Sequence, residues 1–474
     1  MSDLPSSNPP QRTLLNLGSL PPKQAGFGQG QFPRTPSRVD PNNPPWPAYR
    51  GYHEYSFAHA TMGQRLPTIL GKAIDDTVQT LNQETEEDRI VDLVSCIERM
   101  ENLMDDLHQN AKLRPIIDDG EGDISLWNKE IARYFRGKDF MNAPWLFAEA
   151  YKYRRLHECF SMSKYWGSYD VFFRQKSDTF SRSGDAVFEL STRFADPPKM
   201  IQAEGQAKQE QLKLLFMELT QVCLWGNATD LSLLINMTED DIKKLQSTGG
   251  AHLADSEKNI LGNDLLKLWE HFSQLKGGRV DFVLDNAGFE LYCDCVYADF
   301  LLQSGLVNQV RFHGKRFAWF VSDVTRQDWS WLLNSMVYGH LFTDRTEDEL
   351  ASLKRLGDRW KQYEKEGKWI YEQHPFWCTG YTFIFKGDLN HRKLTYDCHA
   401  PVATPFDVAI GPLASEAGAP PVASLRTIKS DVVVGITDAD ASRLDKEEPG
   451  WKISGKYAVV LLSAGQPGQP VQFS

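Results

Sequence analysis

Apolar and polar positions along the chain fall into two regimes. From about Tyr52 to Phe216 the apolar residues recur at helical spacing. Leu66, Ile69, Leu70 and Ala73 mark one amphipathic face. Ile90, Leu93, Val94, Ile97, Met100, Leu103, Met104 and Leu107 mark a longer one at i, i+3, i+4, i+7. Thr85 and Asp88 read as a capping-box variant ahead of it, with Glu86 and Glu87 in the first turn. Helical patterning continues through residues 144–149 and 153–156. The second half is different: short apolar runs end in polar clusters and helical patterns follow. Residues 280–284 end at Asp285-Asn286, residues 317–321 at Ser322-Asp323, and residues 381–385 at Lys386-Gly387-Asp388. Residues 431–436 and 457–462 are further strand candidates.

Strands alternating with helices predict an α/β fold, a mainly parallel sheet with helices on both faces, preceded by a helical region. The expected organisation is a Pro-rich disordered arm over 1–46 and an α-helical subdomain over 47–216. An α/β domain follows over 217–464, then a loose tail over 465–474. Ten of the 25 prolines fall in the arm, which is too poor in apolar residues to offset its ordering entropy. Residues 411–424, rich in Ala, Gly and Pro, read as a surface loop. No repeat of fixed period is present.

Composition narrows the function. The 474 residues fit about two to three domains, and 41% hydrophobic residues suffice for a large core. Lys plus Arg number 52 against 63 Asp plus Glu, a net charge of −11. An acidic chain argues against nucleic acid and against anionic membrane surfaces as partners. No apolar run approaches the ~18 residues of a membrane helix. Seven scattered cysteines do not form a secreted disulfide framework. Cys293 and Cys295 are the one close pair and lack the paired spacing of structural zinc. Without a signal-peptide pattern at the N-terminus, a reducing compartment is expected: the cytoplasm, with the nucleus as a second location. The sequence leaves the oligomeric state unknown.

In open α/β sheets, ligands bind beyond the carboxyl ends of the strands. Asp285, Asn286 and Asp323 bring hard oxygen ligands to that edge, suited to Mg²⁺ or Mn²⁺. Gly288 permits a sharp turn, and Glu290 begins the next helix. Lys386 adds a positive charge, and the Gly387, Asp388, Leu389, Asn390 loop precedes a helical pattern whose amides suit an anion. Arg426 and Lys429 add two cations. A metal with cations around one anionic site is what phosphoryl transfer requires. The plainer reading stays open for each residue alone: a strand-ending Asp serves as a helix N-cap, and Lys386-Gly387-Asp388 as an ordinary turn.

Taken in order, Asp285-Asn286-Ala287-Gly288-Phe289-Glu290, Phe320-Val321-Ser322-Asp323, the segment Phe385 to Lys393, and Arg426-Thr427-Ile428-Lys429 resemble the damage-control phosphatase family. That family was formerly a domain of unknown function numbered 89. The Arg-Thr-x-Lys signature is similar to that of its third subfamily, the sugar-phosphate phosphatases. Ser56-Phe57-Ala58, Arg65-Leu66-Pro67, residues 144–156 and residues 224–231 extend the likeness over nearly all of 48–462.

The resemblance implies a helical N-terminal part on a three-layer α/β/α sandwich. It implies one divalent ion (Mn, Co, Ni or Mg) on Asp285, Asn286 and Asp323, and substrate contacts from the Lys386–Asn390 loop and Lys429. It implies hydrolysis of small sugar phosphates such as fructose 1-phosphate and fructose 6-phosphate, removing side products that would glycate proteins. A metal-activated water is the first choice of nucleophile and Asp285 the second; Asp388 or Glu290 is expected as general acid or base. The haloacid-dehalogenase pattern is absent, since position 287 is Ala. Some animal relatives are described as S-adenosylmethionine-dependent methyltransferases of glutamate side chains, a second reading that lacks a GxGxG loop here. A non-catalytic scaffold acting through the arm is a third. The arm and the 411–424 stretch depart from the family, and the latter bears on substrate preference.

Overall fold

A computed structural model describes residues 46–196, 205–226, 257–275, 277–338, 341–373 and 382–466. The Pro-rich arm before Trp46, residues 227–231 of the resemblance and most of the tail lie outside the described residues.

The α/β half is built on a seven-stranded sheet. Its strands are β1 (Ile260–Asn263), β2 (Arg279–Val283), β3 (Gln309–His313), β4 (Trp369–Glu372), β5 (Thr382–Lys386), β6 (Val422–Thr427) and β7 (Ala458–Ser463). Their order is β1-β7-β6-β5-β2-β3-β4, parallel throughout except between β6 and β7. Strand periodicity sorts side chains between the faces. Phe282, Leu425, Ala458 and Val460 join a core with the Gly184–Phe194, Gly205–Gly226 and Phe289–Gln303 helices. Val283, Val422, Val459 and Leu461 join a second core with the Phe406–Ile410 and Asp438–Glu447 helices on the opposite face. The expected three layers are therefore present. The Phe289–Gln303 helix is buried from Phe289 to Leu301 and forms the middle of the larger layer.

The helical region has its own core. Leu66, Ile69, Leu70 and Ala73 of the Leu66–Leu81 helix meet Leu93, Cys96, Met100, Leu103 and Leu107 of the Glu87–His108 helix. This core runs to Phe172, whereas Phe180 and Phe188 already pack against the sheet. The change of partner thus falls between Phe172 and Phe180. Among the described residues no helix is long and apolar enough to cross a membrane.

Four expectations are corrected. Residues 317–321 are not a strand: β3 supplies that sheet position. Phe320 and Val321 adopt positive φ of 43° and 73° in a turn. Their run is apolar because it packs on the helical region, with Phe320 stacked on Tyr153 at 4.7 Å. Residues 431–436 form no strand either; the Gly435 and Ile436 amides donate to Thr404 and Val402 carbonyls in a loop. The presumed surface loop 411–424 ends in buried β6, whose Ala423 and Ser424 admit close neighbours. Last, Thr85 makes no capping box. Glu84 instead accepts the Thr85 and Glu86 amides and pairs with Arg89.

Lys152 carries an unusual burden within the helical region. It is wholly buried, its Nζ has no hydrogen-bond partner among the described residues, and it lies 3.8 Å from the Tyr153 ring centroid. Burial pushes its pKa down to about 7, against a smaller opposing pull from Glu149. Between pH ~7 and ~10.4 the unfolded chain therefore holds the extra proton, and this site's contribution to stability rises with pH. Lys152→Met is expected to be more stable than the parent at pH 7, by a few kcal/mol, with the gain shrinking toward pH 10. Urea unfolding at both pH values measures it; a gain independent of pH would contradict the assignment.

Candidate functional site

The site forms where the segments leaving β2 and β3 cross. Ala287 N–H donates to the Ser322 carbonyl at 2.7 Å and Val324 N–H to the Asp285 carbonyl at 2.8 Å. This two-bond bridge pairs Asn286 with Asp323 and sets Asp285, Asn286 and Asp323 on the wall of one cleft. Gly288, at φ 73°, turns the chain into the Phe289–Gln303 helix, and a Cβ there would meet the Lys176 carbonyl at 3.3 Å. The cleft and the open solvent at its mouth together span about 420 Å³. Its remaining walls are Phe57, Arg65, Trp145, Glu149, Phe320, Asp388, Leu389, Arg392 and Lys429.

The carboxylates are nearly buried, so charge compensation fixes their geometry. Lys315 Nζ lies 3.0 Å from Asp323 Oδ2 and donates to the Leu284 carbonyl at 2.9 Å. Lys176 Nζ donates to the Asp323 carbonyl at 3.1 Å while bridging Asp170 and Asp328 at 2.8 Å each. Asn286 is oriented from both ends. Its Nδ2 donates to Glu290 at 2.7 Å and Asp285 at 3.0 Å, and its Oδ1 accepts from Ser322 Oγ at 2.5 Å.

The basic and loop residues separate into two sets. Lys429, Asp388 and Leu389 reach the cleft. Lys386 does not line it: its ammonium is wholly buried between Glu290 at 3.1 Å and Asp294 at 2.9 Å, and donates to the Cys223 carbonyl. Burial alone would favour the neutral amine, but Asp294 and Glu290 hold its pKa well above the ordinary lysine value. Arg426 is likewise inside the protein. Its Nε and Nη2 donate to Asp388 Oδ1 at 2.9 and 2.6 Å, beside Ser430 Oγ at 3.1 Å and the Lys429 amide at 3.3 Å. Burial would raise the Asp388 pKa, yet Arg426 and Arg392 hold it below the usual carboxylate range. Asn390 Nδ2 donates to the Val283, Leu284 and Lys386 carbonyls, joining β2 to β5. Gly387, at φ 78°, opens the Gly387–Leu394 helix.

Sequence reasoning about strand ends missed the helical region's share: Phe57, Arg65, Trp145 and Glu149. Arg392, also missed, joins the two regions. It donates to Glu149 at 2.9 Å and to Asp397 at 2.7 Å, with its guanidinium 3.6 Å over the Trp145 ring. The signal available beforehand was the likeness of segments 56–58, 65–67 and 144–156 to one family, which no fold argument on the helical half explained. Among the described residues no group of three or more His, Cys, Asp and Glu stands in metal-holding geometry; the Asp285, Asn286, Asp323 set contains two such residues and an amide.

A family model described as the damage-control phosphatase ARMT1-like domain matches residues 61–444. The damage-control phosphatase ARMT1 of Danio rerio is 34% identical over 452 residues, covering 87% of this chain and 95% of its own length. That of Homo sapiens is 31% identical over 441 residues, covering 85% and 95%. A solved DUF89 family protein from Pyrococcus horikoshii covers 86% of this chain and 98% of its own, at 14% identity and a TM-score of 0.40. With a family model over most of its length and relatives aligned nearly end to end, the chain belongs to the damage-control phosphatase ARMT1-like family.

Proposed function

We propose that this protein is a metal-dependent phosphatase of small sugar phosphates, of the fructose 1-phosphate and fructose 6-phosphate class, acting in metabolite damage control. The observation that carries the reading is the cleft itself, where Asp285, Asn286 and Asp323 face the same space as Arg65 and Lys429. The Arg426-Thr427-Ile428-Lys429 signature supports the sugar-phosphate subfamily.

The donor chemistry fits a divalent ion: two carboxylates and an amide oxygen are hard ligands, and Asp285, Asn286 and Asp323 would hold it. Such an ion, when bound, supplies Lewis-acid polarisation of a phosphoryl oxygen. The protein's own groups do the rest. Glu290 and Ser322 fix the Asn286 amide, and Glu290 is thereby a positioning group in place of a general acid. Asp388, kept ionised by its cations, orients Lys429 by accepting its backbone amide; it is ill suited to donate a proton at neutral pH and is a weak base. In this reading Lys386 supports the site from below through Glu290 and does not itself touch the substrate phosphate. Phe57, Trp145, Phe320 and Leu389 exclude water from the reacting groups. Water is the nucleophile in this reading, because Asp285 belongs to the ion's ligand set.

Purified protein with Mn²⁺ is expected to release phosphate from fructose 1-phosphate, to lose the activity with a chelator, and to regain it with one of Mn²⁺, Co²⁺, Ni²⁺ or Mg²⁺. Asp285→Ala and Asp323→Ala are each expected to lower turnover by at least about 100-fold; hydrolysis at the parental rate would remove the metal assignment. Lys386→Met leaves two buried carboxylates without their cation and is expected to cost ~3–5 kcal/mol, read as a lower urea midpoint. A lysine serving only as a substrate ligand would leave that midpoint where it was.

A further inference from the structure

The helical region contributes a cation to the cleft through an irregular piece of backbone. Residues Thr61–Arg65 form one π-helical turn between the short Phe57–Ala60 helix and the Leu66–Leu81 helix. Such turns are rare and frequently mark functional sites. Arg65, the last residue of the turn, lines the cleft together with Asp285, Asn286, Asp323 and Lys429. Its guanidinium is pre-positioned: Nη1 donates to Thr61 Oγ1 at 3.0 Å, and Cζ lies 4.7 Å over the Phe57 ring.

The short helix ahead of the turn is tied to the loop that carries Lys429. Phe57 N–H donates to Asp431 Oδ2 at 2.6 Å, and Tyr49 Oη donates to the Asp431 carbonyl at 3.3 Å. Asp431 is two residues beyond Lys429, so one short connection fixes the carriers of both cations. Arg65 and Lys429 thus reach the cleft from the two regions, beside Asp285, Asn286 and Asp323.

We propose that Arg65 is a substrate-binding residue whose guanidinium fork takes the phosphate group of the substrate, so that the phosphate site is assembled from both the helical region and the α/β region. This rests on the phosphatase reading above. A pre-positioned guanidinium offers paired N–H donors in the plane a phosphate requires, which an ammonium does not.

The test is calorimetric titration of inorganic phosphate into the full-length, Mn²⁺-loaded protein. The parent is expected to bind. Arg65→Ala is expected to weaken phosphate by roughly 10- to 100-fold, the worth of a charge-assisted pair, with Mn²⁺ affinity unchanged. Arg65→Lys is expected to recover only part of the loss. Arg65→Gln keeps the stem and a donor for Thr61, and serves if the alanine variant does not fold. Unaltered phosphate binding by the alanine or glutamine variant overturns the proposal, even if KM for a phosphosugar rises, because Arg65 would then contact the sugar. A parent that binds Mn²⁺ but no phosphate overturns the phosphatase reading as well, an outcome distinct from the first.

Discussion

Two backbone hydrogen bonds, Ala287 to Ser322 and Val324 to Asp285, tie together the segments that leave the neighbouring parallel strands β2 and β3. Parallel neighbours deliver their exits to the same sheet edge, and each exit would otherwise proceed independently to its own helix. The bridge removes that freedom. It brings two carboxylates and an amide into one space, where the carboxylates repel each other in surroundings with little water to screen them. Lys315 and Lys176 answer that repulsion from behind, one on the Asp323 carboxylate and one on its backbone carbonyl. The strained turn at Phe320 and Val321 follows from the same constraint, since the chain must double back to complete the bridge.

Around that bridge the protein repeats one device, a buried cation shared between two acidic groups. Lys386 lies between Glu290 and Asp294, Lys176 between Asp170 and Asp328, and Arg392 between Glu149 and Asp397. Buried pairs of this kind add little net stability, because desolvation offsets much of the attraction. Their effect here is positional. Each joins segments distant in sequence and leaves few alternative arrangements for the side chains that face the cleft.

How much of this was legible in the sequence depended on direction as well as residue type. β2 and β5 were readable because their short apolar runs end in polar clusters, and β7 because the run at 457–462 is short and apolar. The acidic trio was readable because strand-end carboxylates face the sheet edge whichever way the strand is rotated. β6 was obscured by Ser424, Arg426 and Thr427, polar residues that find partners only inside the fold. The run at 317–321 had strand-like composition, yet its apolar residues serve the contact between regions. Lys386 and Arg426 were recognisable as cations near the site, but residue type does not reveal that a side chain points inward to a carboxylate. Phe57, Arg65, Trp145 and Glu149 carry no strand-end signal. Phe57 is tied to Asp431, and Trp145 and Glu149 to Arg392, while Arg65 lines the cleft beside them.

The five-residue turn at Thr61–Arg65 makes chain length itself a determinant. Removing one residue would restore ordinary winding and rotate the flanking helical segments relative to each other by ~100°. Phe57 and Arg65 could not then both face the cavity while Asp431 kept its hold on the Phe57 amide. Insertions and deletions are therefore barred from this stretch on geometric grounds alone, whatever the identity of the amino acids exchanged within it.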